Sequence, residues 1–238
     1  MDVKYIIDHI NPQVAGFWRM GQNGNREWIT RRPGIFLDWD TITIHNTGNP
    51  NSTASGERRW LENPSNTTQA SYHIVVDDKE AIEVLPLNEV AWHAGERNGN
   101  RTSLGIEICE SGNYYKTVQN ATEIVAWLLS EKEKQISDLR QHFDWSRKDC
   151  PWKIRRGHEG WTWDKFKQET KKRMVVEMVS KYFKDIRHQW QAVHVDSLRE
   201  KGIISGRTSD TFDPDSPITR AEVAVVVNKT IEFLSKGE

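Results

Sequence analysis

The sequence is poor in cysteine and has no long hydrophobic run. Its 238 residues include two cysteines, Cys109 and Cys150, too few for a disulfide framework. The mean hydropathy is −0.74, and no apolar stretch approaches the roughly eighteen residues that a membrane helix requires. These shortages predict a soluble protein whose stability comes from a packed core.

The chain also has no marked excess of positive or negative charge. The chain has 33 lysines and arginines against 34 aspartates and glutamates, so no basic surface for nucleic acid is expected. The first ten residues, MDVKYIIDHI, have neither the basic flank nor the apolar stretch of a secretory signal. The sequence therefore predicts a protein that is made in the cytoplasm without its own export route.

Strands and helices alternate along the first 160 or so residues, and their periodicity separates them. Strands are predicted at residues 41–46, 71–76, 81–86 and 103–110, the second and third forming a hairpin, and amphipathic helices at residues 55–63 and 117–130. This alternation predicts an α/β fold with a mixed central sheet flanked by helices.

A second, small helical domain is predicted after a charged helical linker. Thr219 and Glu222 have the spacing of a capping box at the start of a helix, and Gly202 is placed to end the preceding helix. We therefore divide the chain into residues 1–165, a linker of residues 166–180, and residues 181–238.

The stretch QHFDWSRKDCPW, residues 141–152, holds His142 and Cys150 eight residues apart. Its spacing alone allows a packed core turn, half of a disulfide, or one side of a metal site. His45 ends the strand predicted at residues 41–46 and offers a third ligand. Catalytic zinc sites commonly use three protein ligands and leave a fourth position for water, whereas a structural zinc site would be closed by a fourth ligand.

Five motifs in order, TIHNTGN, SYHIVVDD, AWHAG, SLGIEICES and HFDWSRKDCP, resemble the zinc-dependent N-acetylmuramoyl-L-alanine amidases of the type 2 family. This family includes phage endolysins and peptidoglycan recognition proteins, and the resemblance covers roughly residues 25–165. It implies the amidase type 2 fold, with zinc held by His45, His142 and Cys150. It also implies cleavage of the peptidoglycan amide bond between N-acetylmuramic acid and L-alanine.

The resemblance also implies roles for other residues. Glu107 transfers the proton from water to the leaving nitrogen, Lys148 stabilises the oxyanion, and Tyr72 lies near the metal. The predicted substrate-groove residues are His93, Asn46, Thr47 and Arg101. Cys109 shares a strand face with Glu107 and is interpreted as a small buried residue.

Residues 181–235 resemble an S-layer homology domain through FKDI, GIISG and TFDPDSPITRAE. Such domains bind secondary cell-wall polymers. The resemblance implies an anion contact at Arg220, with Trp190 and Asp185 near the site. Family members usually carry three such domains in tandem and this chain has one. Either the single copy is a weak anchor or several chains associate, and we expect homo-oligomerisation through residues 181–238.

These features together predict a modular peptidoglycan hydrolase, a phage or prophage endolysin released by a separate holin-type protein. A bacterial autolysin and a non-catalytic, receptor-like peptidoglycan-binding module are the alternatives. The presence of His45, His142, Cys150 and Glu107 favours catalysis over the receptor. A zinc deaminase is excluded, because neither the H-x-E nor the P-C-x-x-C signature occurs.

Overall fold

The computed structural model describes residues 3–176, 180–186 and 189–235, without the side chains of residues 175, 176, 189 and 190. The backbone separates into two compact units. The first unit comprises Met1–Leu129 and Glu133–Lys171, and the second comprises Ser130–Lys132 and Lys172–Glu238. In the described residues, no helix combines the length and apolarity that a membrane crossing requires.

The first unit is built on a six-stranded sheet and a separate two-stranded hairpin. In chain order the strands are β1 (Lys4–Ile7), β2 (Gly16–Met20), β3 (Arg26–Thr30), β4 (Thr41–Asn46), β5 (Ile74–Val76), β6 (Glu80–Glu83), β7 (Ser103–Ile108) and β8 (Leu139–Gln141). The sheet has the order β1-β6-β5-β7-β4-β8, and β2 pairs with β3 alone. All neighbours in the six-stranded sheet run parallel except the β5–β6 pair.

Helices follow four of the six strands of the larger sheet, β4, β6, β7 and β8, and such connections suit parallel pairing. They are α1 (Ala54–Glu62), α2 (Arg97–Thr102), α3 (Tyr114–Glu131), α4 (His142–Ser146), α5 (Trp152–Arg155) and α6 (Trp163–Val176) in chain order, and α7 (Gln189–Glu200) and α8 (Arg220–Ser235) in the C-terminal part. Helix α1 packs on β5 and β6. Helix α3 meets the sheet edge where Trp127 and Tyr5 stack edge to face at 5.2 Å.

The hydrophobic pattern explains why β4 and β7 lie inside the sheet. All six residues of β4 are buried, and so are five of the six in β7. Strands covered on both faces lose the simple alternation of a half-buried strand. The central strand predicted at residues 103–110 is present but ends at Ile108, and the half-buried strand predicted at residues 41–46 is buried on both faces.

The predicted α/β fold class is confirmed. The predicted hairpin is present, since Val76 pairs with Ala81 in the antiparallel β5–β6 ladder. Both strands end short of the prediction: β6 stops at Glu83 rather than at residue 86, and β5 lacks residues 71–73, because Ser71 and His73 leave the ladder. The Ser71 N–H bonds the Trp92 carbonyl, and the His73 N–H bonds the Gly105 carbonyl. The side chains of Ser71 and His73 are buried all the same.

The second unit has a small core around the start of α7. Phe183, Ile186, Ala192 and Val195 are buried together, with Ile204 and Phe212 packed against them. Thr219 and Glu222 form the predicted capping box of α8: the Thr219 N–H donates to Glu222 at 2.7 Å, and the Glu222 N–H donates to Thr219 Oγ1 at 3.2 Å. Gly202 has φ +70°, as a residue just beyond a helix end often does.

Candidate metal centre

Strand pairing brings two histidines to one edge of the sheet. His45 is the fifth residue of β4. Ile44 pairs with Gln141 of the parallel strand β8, and His142 follows immediately as the first residue of α4. Because both strands run in the same direction, their carboxyl ends meet at the same edge, and the two imidazoles lie side by side.

Cys150 completes a three-residue cluster. Nδ1 of His45 lies 3.1 Å from Nδ1 of His142 and 3.7 Å from Sγ of Cys150. One ligand atom from each of the three buried residues lies within 4.8 Å of the others. Two imidazole nitrogens and one thiolate form a donor set typical of zinc and other borderline-soft metals. The residues present therefore fit a metal ion bound by three protein ligands.

The protonation states of the two histidines suit metal binding. Burial lowers the pKa of His45 well below its usual value, and His93 and His142 lower it further. The pKa of His142 falls to about 4, first through burial and then through the positive charge of Lys148. Both rings are therefore neutral near pH 7, and a neutral imidazole has the lone pair that a metal requires.

The thiol of Cys150 behaves differently in the metal-free protein. Burial, followed by the negative charge of Glu107, raises its pKa to about 12. A metal cation reverses this effect, because a coordinated thiol is deprotonated. Cys150 and Cys109 are both free and buried, so the disulfide interpretation of residues 141–152 is wrong. Cys109 packs in the hydrophobic core with Tyr72 and Val75.

Glu107 stands beside His45 on the neighbouring strand. The two residues are directly paired in the parallel β4–β7 ladder. Among the described residues, Oε2 of Glu107 is buried without a hydrogen-bond partner. Burial, followed by the charge of Glu57, raises the pKa of this carboxyl group to about 8, against the opposing effect of the Lys148 cation. A carboxyl group with a pKa near neutrality can both accept and return a proton.

The cleft at the metal centre has a volume of about 430 Å³. Nine of the predicted site residues line it: His45, Asn46, Thr47, Tyr72, His93, Glu107, His142, Lys148 and Cys150. The hydroxyl of Tyr72 has a strongly raised pKa because it is buried and lies near the carboxylates of Glu57 and Glu107. Lys148 is solvent-exposed at the rim.

The predicted groove residues have different surroundings. Asn46 bonds within the protein, donating to Tyr114 Oη at 3.1 Å and accepting from the Lys153 N–H at 3.1 Å. Oγ1 of Thr47 lies 2.8 Å from Oγ of Ser52. Arg101 is not among the residues that line the metal-centre cleft; it lines an adjoining depression around α2, which shares Trp92, Gly95 and Asn100 with the cleft.

His93 was predicted in the substrate groove, but its ring is turned inward. It is 7% exposed. Its Nε2 lies 3.0 Å from the Ser103 carbonyl oxygen, and its Nδ1 lies 3.1 Å from Nε2 of His45. Burial, then the neighbouring His73, lowers the pKa of His93 to about 3. The ring therefore contacts the back of the metal ligand His45.

Sequence reasoning missed Glu57 of α1, which also lines the cleft. Asn49 donates to its carboxylate at 2.9 Å, and burial raises its pKa. The surrounding sequence, SGERRWLEN, is that of an ordinary amphipathic helix with a glutamate in its first turn. Nothing local distinguishes Glu57 from a solvated helix residue, because its importance comes from the fold.

The predicted polymer-binding residues of the second unit are dispersed. Arg220 is exposed in the first turn of α8. The Asp185 carboxylate accepts the N–H groups of Phe212 and Asp213 at 2.9 and 2.6 Å, so it holds a turn. The side chain of Trp190 lies outside the described residues. A depression of about 550 Å³ in this unit includes Arg207 and Lys229 in its lining, and neither Arg220 nor Asp185 belongs to that lining.

A mostly parallel sheet bearing two histidines, one cysteine and a buried glutamate defines a mixed α/β protein with a candidate metal centre of three residues. The sequence profile of the N-acetylmuramoyl-L-alanine amidase family matches residues 36–153, and that of the S-layer homology domain matches residues 182–224. The chain belongs to this amidase family, and the resemblance seen in the five motifs is confirmed.

Individual relatives agree with this assignment. The chain is 42% identical to N-acetylmuramoyl-L-alanine amidase XlyA of Bacillus subtilis over 142 residues, which is 57% of this chain and 46% of that protein. It is 43% identical to CwlA of the same species over 120 residues, covering 48% of this chain and 43% of that one. The matches thus span less than half the length of these curated relatives.

Solved structures give the same result for the first unit. The catalytic domain of XlyA superposes with a TM-score of 0.59 and 36% identity, covering 71% of this chain and 99% of that domain. The catalytic domain of PlyG gives a TM-score of 0.58 and 32% identity, covering 73% of this chain and 96% of that domain.

Proposed function

We propose that this protein is a zinc-dependent peptidoglycan hydrolase that cleaves the amide bond between N-acetylmuramic acid and L-alanine. The observation that carries the proposal is the convergence of His45 Nδ1, His142 Nδ1 and Cys150 Sγ beside the buried carboxyl group of Glu107. Relatives at 42 and 43% identity are named N-acetylmuramoyl-L-alanine amidases, which supports the choice of substrate bond.

Three protein ligands leave room in a tetrahedral site for water or substrate. Zinc bound there would lower the pKa of its water ligand to about 7 and polarise the scissile carbonyl group. Glu107 accepts a proton from the attacking water and returns it to the departing nitrogen of L-alanine. A pKa near neutrality suits both steps, because the carboxylate can take up the proton and the carboxylic acid can then release it.

Lys148 and Tyr72 assist from the same cleft, which both residues line. The Lys148 cation lies close enough to influence Glu107, His45 and His142, and we assign it to the oxyanion that develops on the carbonyl. Tyr72 lies beside Glu57 and Glu107 and orients substrate near the metal. Asn46 and Thr47 shape the cleft floor, and Arg101 contacts substrate only if the bound glycopeptide extends to α2.

A non-catalytic peptidoglycan receptor is the alternative from another class. Such a receptor would retain the cleft but would lack one or more of the metal ligands or the proton-transferring carboxylate. Here His45, His142, Cys150, Glu107 and Lys148 all line one cleft, and this favours hydrolysis.

We further propose the role of a phage or prophage endolysin rather than an autolysin. A structural neighbour of 36% identity is described as an endolysin from Bacillus subtilis. The same proposal includes release of this protein to the cell wall by a separate holin-type protein.

The decisive test is the product formed from purified cell walls. The full chain should reduce wall turbidity, lose this activity in chelator and regain it with added zinc. Cys150→Ser should be inactive or strongly impaired. New amino-terminal L-alanine is expected. The appearance of reducing sugar ends instead would show that the enzyme cuts glycan rather than amide bonds. Binding to walls without any new amino termini would favour the receptor.

For the second unit we propose attachment to a secondary cell-wall polymer. The match to the S-layer homology domain supports this role, and Arg220 offers an exposed cation for an anionic polymer. Trp190 and Asp185 are proposed as near-site residues, Asp185 through the turn it holds. Arg220→Ala should reduce co-sedimentation with intact walls and have no effect on walls stripped of the polymer. Equal sedimentation of both proteins with intact walls would remove Arg220 from the site.

Self-association through residues 181–238 is also proposed. Helix α8 has no fully buried residue in its described part, and Val223, Val227 and Ile231, spaced four residues apart on one helix face, are 43%, 52% and 57% exposed. Such a row of aliphatic side chains is typical of a surface that contacts another chain. Light scattering should give a mass that is a multiple of 27.7 kDa. A monomeric mass at working concentration would overturn this proposal.

A further inference from the structure

His93 lies between a metal ligand and the neighbouring strand, and its contacts determine which ring nitrogen carries hydrogen. Its Nε2 lies 3.0 Å from the Ser103 carbonyl oxygen. A carbonyl oxygen only accepts hydrogen bonds, so Nε2 is the protonated nitrogen of this neutral ring. Nδ1 of His93 is therefore an acceptor, and it faces Nε2 of His45 at 3.1 Å.

The same reasoning fixes the form of His45. Because Nδ1 of His93 accepts, Nε2 of His45 must carry the hydrogen that it donates. Nδ1 of His45 then has its lone pair free, and this is the atom that faces His142 and Cys150. The contact with His93 thus selects the tautomer of His45 that can bind a metal ion.

The next residue along the chain contacts the other histidine ligand. The backbone of Ala94 lies close enough to the His142 ring to oppose the lowering of its pKa. Its Nε2 lies on that side of the ring, since a Cβ atom placed on Gly95 would be 3.3 Å from it. Nδ1 of His142 again faces the metal centre. Two consecutive residues therefore contact the outer nitrogens of both histidines.

Asn100 holds these two residues in place. Its Oδ1 accepts the N–H of His93 at 2.9 Å and the N–H of Ala94 at 2.8 Å. The ring of His93 packs over Gly105 of β7, where an added Cβ would lie 2.6 Å from Cγ of His93. Asn100 of α2 thus holds the backbone of His93 and Ala94, and Gly105 of the sheet supports the ring of His93.

We propose that the segment His93–Ala94, held by Asn100, is the positioning element for both histidine ligands of the metal centre. His93 acts through the acceptor Nδ1, and Ala94 through its backbone. Neither residue contacts the metal. This inference rests on the zinc site of the proposed function and adds to it a source of ligand orientation. Outer-shell partners of this kind typically change metal affinity by about 10- to 100-fold when removed.

Two substitutions separate the acceptor role of His93 from its packing role. In His93→Asn the amide oxygen can occupy the place of Nδ1, so the acceptor for His45 is kept while the bond to Ser103 is lost. In His93→Gln the longer amide reaches the place of Nε2, so the bond to Ser103 is kept and the acceptor is lost. The two variants are matched in polarity and differ in which contact survives.

Zinc affinity of the full chain, measured by competition with a chromophoric chelator, is the readout. We expect His93→Gln to weaken zinc binding about 10- to 100-fold and His93→Asn to stay within about threefold of wild type. His73→Gln is the control. His73 is equally buried, but its bonds go to the Glu89 carbonyl and the Gly105 N–H and not to a ligand. It should therefore retain zinc affinity.

Equal zinc affinity in the Gln and Asn variants, or a loss in His73→Gln as large as in His93→Gln, would overturn the proposal. If the variants fail to fold, nitrogen-15 NMR of the wild-type metal-free protein decides. We expect His45 and His93 both to carry hydrogen on Nε2. Hydrogen on Nδ1 of His45 would contradict the inference. Failure of wild-type protein to bind zinc would instead overturn the proposed metal centre itself.

Discussion

His45 and Glu107 occupy paired positions on adjacent parallel strands, β4 and β7. Paired residues of a parallel ladder project to the same side of the sheet, so the first metal ligand and the proposed proton carrier share one rigid support. Val75 of β5 continues the row on the other side of Glu107. Groups held by a buried sheet keep their relative geometry better than groups held on loops.

Glu107→Gln should leave metal binding intact and abolish most of the catalysis. The amide has nearly the same shape but cannot accept the water's proton, so kcat should fall by about 10²- to 10⁴-fold. Initial rates on a soluble muropeptide and zinc content per chain are the two measurements. Glu80→Gln, on β6, is the matched control and should retain activity. A fully active Glu107→Gln enzyme would assign the proton transfer to another group.

Lys148→Met should shift the pH dependence of kcat as well as its size. The Lys148 cation lowers the pKa of Glu107, so its removal raises that pKa. Because the proton acceptor is the ionised form, the rising limb of the pH profile should move to higher pH. Lys116→Met, on an exposed part of α3, should leave the profile unchanged. A lower rate with an unmoved limb would restrict Lys148 to oxyanion stabilisation.

Gly105→Ala should damage the metal centre from the far side of His93. The new methyl group would meet Cγ of His93 at 2.6 Å, and overpacking of this kind costs about 1–3 kcal/mol. The unfolding temperature and the zinc affinity should both decrease. Gly34→Ala is the comparison, because no atom lies within 4 Å of its added Cβ although its φ is +66°. That variant should lose some stability and no zinc affinity.

Asp185→Asn should loosen the turn at residues 212–213 in a pH-dependent way. Burial opposes ionisation of Asp185, but the N–H groups of Phe212 and Asp213 favour the carboxylate and leave its pKa below the usual 3.8. A lowered pKa stabilises the fold above about pH 3.8, and this contribution is lost as pH falls through the lowered value. The variant should therefore be less protected at pH 7 than the wild type at these two amides.

Amide hydrogen exchange of Phe212 and Asp213 measures this effect, compared between wild type and variant at each pH. The difference in protection should shrink below about pH 3.8. A difference that stays constant down to pH 2 would mean that the carboxylate charge has no part in holding the turn.

Local sequence patterns were sufficient to predict features that depend on a single strand or helix. The alternation in TITIHN placed β4 and put His45 near its end, and the Thr219–Glu222 spacing identified the capping box of α8. The cluster of His45, His142 and Cys150 came from the family resemblance, because the residues are far apart along the chain. Their proximity depends on β4 pairing with β8, which no local pattern reveals.

The orientation of His93 and the placement of Arg101 could not be read from sequence. AWHAG gives no sign that the ring turns inward, since that depends on the missing side chain at Gly105 and on Asn100. Arg101 follows Asn100 directly but lies on the exposed side of α2. A short helix sends neighbouring residues in different directions, and only its packing decides which one faces the cleft.

The metal ligands are far apart in the chain: 97 residues separate His45 from His142, and 105 separate it from Cys150. A bound ion would therefore tie the segment after β8 to the middle of the sheet, much as a long-range crosslink does. Ligands that bind only the folded state stabilise it in proportion to the logarithm of their concentration. Metal supply would thus influence how long the folded chain survives proteases, independently of any catalytic rate.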